Sequence, residues 1–153
     1  MFWRKFMDRD ISNIDKDERV ARILFSPSHI YEGRVSPKAF KLEMLKGGAE
    51  DYISVLRYDS EELENVSAIF RPRVVGDQRY GYTYLMAKDI FDLDGEIPNR
   101  DVSLLPKPSK RLPFHAGIFL TLDGKLQNAN DLSPEIDYFQ KELAMLCDGV
   151  HQF

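Results

Sequence analysis

Pro113-Phe114-His115-Ala116-Gly117-Ile118-Phe119-Leu120-Thr121-Leu122, followed by Asp123-Gly124, is the stretch whose reading decides the fold. Phe114, Ala116, Ile118, Leu120 and Leu122 recur at every second position, the period of a strand with one buried face. Asp123-Gly124 then closes the strand as a hairpin or a tight turn. The second large apolar surface is helical. Ser133 is an N-cap, Pro134 takes the first helical position, and Glu135 and Asp137 follow in the first turn. Ile136, Phe139, Leu143 and Leu146 line one face, and Gly149 is placed to terminate the helix. These two surfaces can bury each other. The expectation is an α+β fold, with a mostly antiparallel central sheet and a C-terminal helix packed on one face.

Working outward, Arg19 to Phe25 is strand-like, and Ser26-Pro27 opens a short helix through Tyr31 with Gly33 as its stop. Residues 34–43 and 52–58 read as strands separated by a loop containing Gly47-Gly48. Asp59 or Ser60 caps a helix to about Phe70, with Glu61 and Glu62 where the helix dipole favours acids. Pro72 ends it. Strands at 80–87 and 101–105 follow, separated by a turn at Asp92-Leu93-Asp94-Gly95. Residues 106–113, with three prolines and three basic side chains, form a stiff connection. The chain divides into an amphipathic leader over 1–18 and a single α+β domain over 19–153.

Composition bounds the function. A chain of 153 residues with 43% hydrophobic content buries a core without disulfides or metal. A net charge of −4 creates no global attraction to nucleic acid or an anionic membrane. One cysteine, Cys147, fits a reducing compartment. No run reaches the length of a membrane helix and residues 1–10 lack a signal-peptide core, so a cytoplasmic protein is expected.

No metal or cofactor is expected. His29, His115 and His151 are not paired at ligand spacing, and Asp92-Leu93-Asp94-Gly95-Glu96 lacks most of a calcium loop. No glycine cluster forms a phosphate loop, and no serine sits on a nucleophile elbow. Cys147 falls near the buried helical stripe, a packing position. His115 shares a strand face with Gly117, whose missing side chain leaves room beside it. It either bonds the neighbouring strand or contacts a ligand. Arg71, Arg73 and Arg79 run into Tyr80, Tyr82 and Tyr84, which share one strand face, and Lys107, Lys110 and Arg111 can approach them. Such a stripe packs under a helix, binds a protein, or stacks bases. Trp3, Phe6 and Met7 in the leader are costly to leave in water.

Gly33-Arg34-Val35-Ser36, Ala39-Phe40, Ile53-Ser54-Val55 and Pro113-Phe114-His115-Ala116 together resemble the signatures of a group of small bacterial proteins of unknown function, over residues 20–122. The chain departs from them at its first strand, where Ile23 and Ser26-Pro27 replace the usual Arg-apolar and His-Pro. No activity comes with the resemblance.

Two function classes follow. The first is a non-enzymatic interaction or accessory module of a bacterial operon, of toxin–antitoxin or defence type. It would bind through Trp3, Phe6, Arg79, Tyr80, Tyr82 and Tyr84. Its partner would be another protein or a second copy of the chain, with nucleic acid the lesser alternative and no membrane. The second is a small transferase or hydrolase acting on a nucleotide or NAD-like ligand. There Arg34 would hold phosphate, Ser54 would orient the ligand and His115 would act as acid or base. An early Arg and a following strand Ser resemble ADP-ribosyltransferase order, with no late Glu assignable.

Overall fold

The computed structural model describes residues 12–67 and 81–153. In chain order the strands are β1 (Arg19–Leu24), β2 (Ile30–Tyr31), β3 (Arg34–Val35), β4 (Met44–Leu45), β5 (Gly48–Ala49), β6 (Ile53–Leu56), β7 (Gly81–Met86), β8 (Arg100–Pro106), β9 (His115–Leu122) and β10 (Lys125–Leu126). The α-helices are α1 (Ser60–Ser67), α2 (Ala87–Phe91) and α3 (Pro134–Leu146). The central sheet runs β8-β9-β6-β1-β7 and every pairing is antiparallel, with β10 continuing along β9 beyond β6. Among the described residues, no helix is long and apolar enough to cross a membrane.

The alternation along each strand sorts side chains onto two faces. One carries Val20, Leu24, Ile53, Val55, Leu85, Val102, Leu104, Ala116, Ile118 and Leu120, all buried beneath Ile136, Phe139 and Leu143 of α3 and Ile90 of α2. The expected α+β architecture, with the C-terminal helix on one face of an antiparallel sheet, is therefore present. On the opposite face Ala21, Ile23, Leu56, Tyr82 and Tyr84 pack with Leu63 and Val66 of α1, Tyr58 and Phe114. That second layer covers the β7–β1 half. Over the β6–β9–β8 half the face carries Ser54, His115, Gly117, Phe119, Ser103 and Leu105 instead. His115 and Phe119 there are half-buried and Leu105 is 49% exposed.

Local chemistry explains the elements. Ser133 Oγ accepts from the Ile136 N–H and Pro134 opens α3, as its cap sequence dictates. Asp59 and Glu62 exchange reciprocal 3.3 Å hydrogen bonds, the capping box of α1. The expected extension of α1 beyond Ser67 to Phe70 and the stop at Pro72 lie outside the described residues. Asp123 and Gly124, with φ of 51° and 78°, form the two-residue β9–β10 turn.

Three expectations need correction. Residues 34–43 are not one strand: Ser36 accepts from the Lys38 N–H and Pro37 starts a 3-10 helix over Pro37–Phe40. Gly33 does not stop a helix. The helix after Ser26 is only Pro27–His29, and Glu32 and Gly33 (φ 51° and 77°) make the turn between β2 and β3. Phe114 leaves the face of Ala116 and Ile118 for the second core, because β9 begins only at His115 after a turn closed by the His115 N–H on the Leu112 carbonyl.

Two buried arginines link the layers. Arg57, at the end of β6, donates from Nε and Nη2 to the two carboxylate oxygens of Glu18, each at 2.9 Å, and from Nη2 to the Asn13 carbonyl at 2.7 Å. Arg100 pairs with Glu142 of α3 and donates to the Leu93 carbonyl at 3.1 Å. Ile14, in the described part of the leader, is buried in the helix-side core.

Both long edges of the sheet carry added contacts. Along β7, Tyr82 and His151 exchange backbone hydrogen bonds at 2.9 and 2.8 Å, and the Tyr84 N–H donates to Asp148 Oδ1. Along β8, the Val102 N–H donates to Asp94 Oδ1 at 2.8 Å and the Gly95 N–H to the Arg100 carbonyl.

Candidate functional site

The β6–β9 register decides which polar residues meet. Ser54 lies opposite Gly117, and Leu56 opposite His115, so Ser54 and His115 are diagonal neighbours on one face. Ser54 Oγ hydrogen-bonds His115 Nε2. The other ring nitrogen, Nδ1, lies 3.0 Å from the Lys107 carbonyl oxygen. A carbonyl only accepts, so Nδ1 carries a proton; when the ring is neutral, Nε2 accepts from the serine hydroxyl. This is the tautomer of a general base. The hydroxyl is poorly placed to attack a substrate, however: Ser54 is only 4% exposed and lies beneath the ring rather than at the cavity wall.

The cavity beside His115 has a volume of about 470 Å³ and is lined by Tyr52, Pro106, Lys107, Pro108, Ser109, Leu112 and His115. Tyr52, two residues before Ser54, sits edge-on to His115 with ring centroids 5.9 Å apart, and 5.3 Å from the Phe119 ring. Lys107 Nζ lies 5.3 Å from the centre of the Tyr52 ring. The far wall is a braced loop. The Lys107 N–H donates to the His115 carbonyl at 2.8 Å, the Ser109 N–H to the Leu112 carbonyl, and the Leu112 N–H to Ser109 Oγ. With Pro106, Pro108 and Pro113 also restricting the backbone, this wall loses little entropy on binding a ligand.

Gly117 makes the arrangement sterically feasible. A Cβ at that position would meet Tyr52 Cδ2 at 2.6 Å and Cγ at 3.1 Å. Gly117→Ala is therefore expected to push the Tyr52 ring off β9 and to cost about 1–3 kcal/mol as overpacking. A urea titration measures the loss, and the Tyr52–Phe119 ring contacts in an NMR spectrum report the displacement. An unchanged ring contact would show that the glycine is not what seats Tyr52.

The remaining candidate residues lie elsewhere. Arg34 is exposed on β3, whose Val35 packs in the helix-side core, so the sheet brings Ser54 and His115 together without it. Trp3, Phe6, Arg79 and Tyr80 lie outside the described residues. Tyr82 and Tyr84 do not present an accessible surface, at 7% and 4% exposure. Tyr82 stacks on His151 at 5.2 Å and meets Phe153, while the Arg19 guanidinium covers Tyr84 at 3.9 Å. Strand-favouring aromatics here fill a core. Asp94, read as part of a calcium-like turn, accepts from the Val102 N–H. Burial, aided by the positive charge of Arg22, lowers the His29 pKa to about 4, and its Nδ1 accepts from the Phe25 N–H. Burial pushes the Cys147 thiol up to about 12, and its sulfur donates to the Leu143 carbonyl. A thiol so held is no nucleophile.

Sequence reasoning singled out His115 and the space beside Gly117 but not Tyr52 or Phe119. The signal for Phe119 was its parity with His115. Tyr52 had no such marker, since its role depends on register. No protein-family model, no curated protein and no solved structure matches the chain.

Proposed function

We propose that this chain is a non-enzymatic interaction module, an accessory protein of the kind encoded in toxin–antitoxin or defence operons. Its contact surface is the β6–β9–β8 half of the sheet, over which no helix packs on this face among the described residues. The observation that carries the reading is the uneven covering of that sheet face among the described residues: α1 packs over the β7–β1 half, while half-buried Tyr52 and Phe119 and exposed Leu105 flank a braced loop on the other. Flat aromatic and aliphatic side chains on a rigid support are the material of binding hot spots. Both His115 nitrogens are engaged within the protein, which suits a residue that shapes a surface.

The test is co-purification from the cells that make the protein, comparing wild type with Tyr52→Ala/Phe119→Ala. A macromolecule retained by wild type and lost by the folded variant is the expected result. Identical co-purifying material would overturn the reading.

A second reading rests on one specific observation, the Ser54–His115–Lys107 carbonyl chain with its base-competent tautomer. In this reading the chain is a small hydrolase or transferase on a nucleotide or NAD-like ligand, and His115 is the proton acceptor. It requires the Ser54 hydroxyl to become accessible. Turnover of any such substrate that Ser54→Ala and His115→Gln both abolish would favour it over the interaction module.

A further inference from the structure

We infer that the β6–β9–β8 half of the sheet binds single-stranded nucleic acid, with bases stacked on Tyr52 and Phe119 and phosphates held by Lys107, Lys110 and Arg111. The inference rests on the interaction-module reading and names its ligand. Its first support is a local charge asymmetry in an acidic chain. The protein carries 25 Asp and Glu against 21 Lys and Arg, yet residues 102–122 contain no acid and three cations. That acid-free stretch builds most of the site: nearly all of β8, the loop forming the cavity wall, and β9. Asp51 lies beside Tyr52 in sequence, and Asp101 pairs with Thr121 toward the end of β9 away from the basic loop.

The second support is the chemistry of the platform. Tyr52, His115 and Phe119 form one aromatic group on a sheet face, the Tyr52 centroid lying 5.9 Å from that of His115 and 5.3 Å from that of Phe119. Every base has a π-face, so such a surface takes unpaired bases without regard to sequence. A duplex keeps those faces hidden in its own stack. An acidic peptide of Asp and Glu would satisfy the cations but brings no aromatic face to the rings. Lys107, Lys110 and Arg111 are exposed on a loop of fixed backbone, so they track a phosphate chain at little ordering cost. Lys107 already lies near the Tyr52 ring, where a phosphate and a stacked base would both be within its reach.

The experiment is fluorescence anisotropy of the full chain with fluorescein-labelled oligothymidylate and with a mixed-sequence single-stranded RNA. A labelled oligoglutamate peptide and a DNA duplex serve as competing ligand classes. Wild type should bind the single strands, with log affinity falling against log salt at a slope near −2, about 0.7 for each of three phosphate contacts. Tyr52→Ala and Phe119→Ala should each weaken binding about tenfold or more, and Tyr52→Phe should retain it. Lys107→Ala/Lys110→Ala/Arg111→Ala, confined to an exposed loop and so independent of the core, should flatten the salt slope toward zero. No binding to either single strand at about 50 mM salt overturns the inference. So does equal binding of the duplex or the oligoglutamate, or affinity indifferent to both sets of variants. If oligonucleotides fail while Tyr52→Ala/Phe119→Ala still loses a co-purifying polypeptide, this inference falls and the interaction-module reading stands. If neither effect is seen, both fall.

Discussion

Leu143→Ala is expected to lower the free energy of unfolding by roughly 2–5 kcal/mol. Leu143 has no exposed surface and lies in the core formed between α3, α2 and the helix-side face of the sheet. Truncation removes buried methyl groups and leaves a cavity whose walls include strand residues that cannot easily close in, since their positions are set by the sheet. Met145, two residues along the same helix, is 85% exposed. Met145→Ala should change stability by no more than about 0.5 kcal/mol, which controls for altered helix propensity. Urea denaturation at constant slope measures both. A loss below about 0.5 kcal/mol for Leu143→Ala would contradict the packing of α3 on the sheet.

Glu18→Gln is expected to cost about 3 kcal/mol, the lower end of what breaking a buried ion pair costs. The Arg57 side chain is 1% exposed and Glu18 is 19% exposed, so the charge left behind is the more deeply buried one. Two parallel hydrogen bonds at 2.9 Å fix the pair, and the neutral amide of Gln can accept only one of them. The reverse logic applies to removing both partners together. Glu18→Leu/Arg57→Met should recover much of the loss, because no uncompensated charge remains beside the Phe114 ring. Equal destabilisation by the double and single variants would show that the other groups Arg57 holds, the Asn13 carbonyl among them, offset the relief of charge.

What the amino-acid order disclosed depended on how much of a period each element carries. The strand ending at Leu122 and the helix beginning at Pro134 each repeat an apolar position several times, and both were legible. The helix α2, Ala87–Phe91, is too short to complete an amphipathic period and was hidden inside the reading of a strand and a turn. At 34–43 the apolar spacing of Val35, Ala39, Phe40 and Leu42 masked the Ser36-Pro37 cap, although the same dipeptide was recognised at Ser26-Pro27. Phe114 was given the wrong face because parity counts only from where a strand begins. Ser54 and His115 stood out as polar residues inside apolar runs. Their contact spans 61 positions and is fixed by the β6–β9 register, as is the seating of Tyr52 against Gly117. Arg34 offered the same local signal and sits elsewhere, because neighbouring sequence says nothing about which layer a hairpin joins.

The contacts along the two sheet edges have a consequence for how copies of this molecule can meet. An unpaired strand edge is a template for another chain, and recruitment there leads to runaway β-assembly. Here the Asp148–His151 segment occupies hydrogen-bonding positions along β7, while Asp94 and Gly95 occupy one end of the β8 edge. Pro106 closes the other end of β8, having no N–H to offer a new strand. Among the described residues, only a short span around Leu104 is left between them, too little to register an incoming β-strand. Strand addition is thereby discouraged at both margins of the central sheet, which leaves its faces, through side chains rather than backbone, as the better route for another copy to approach it.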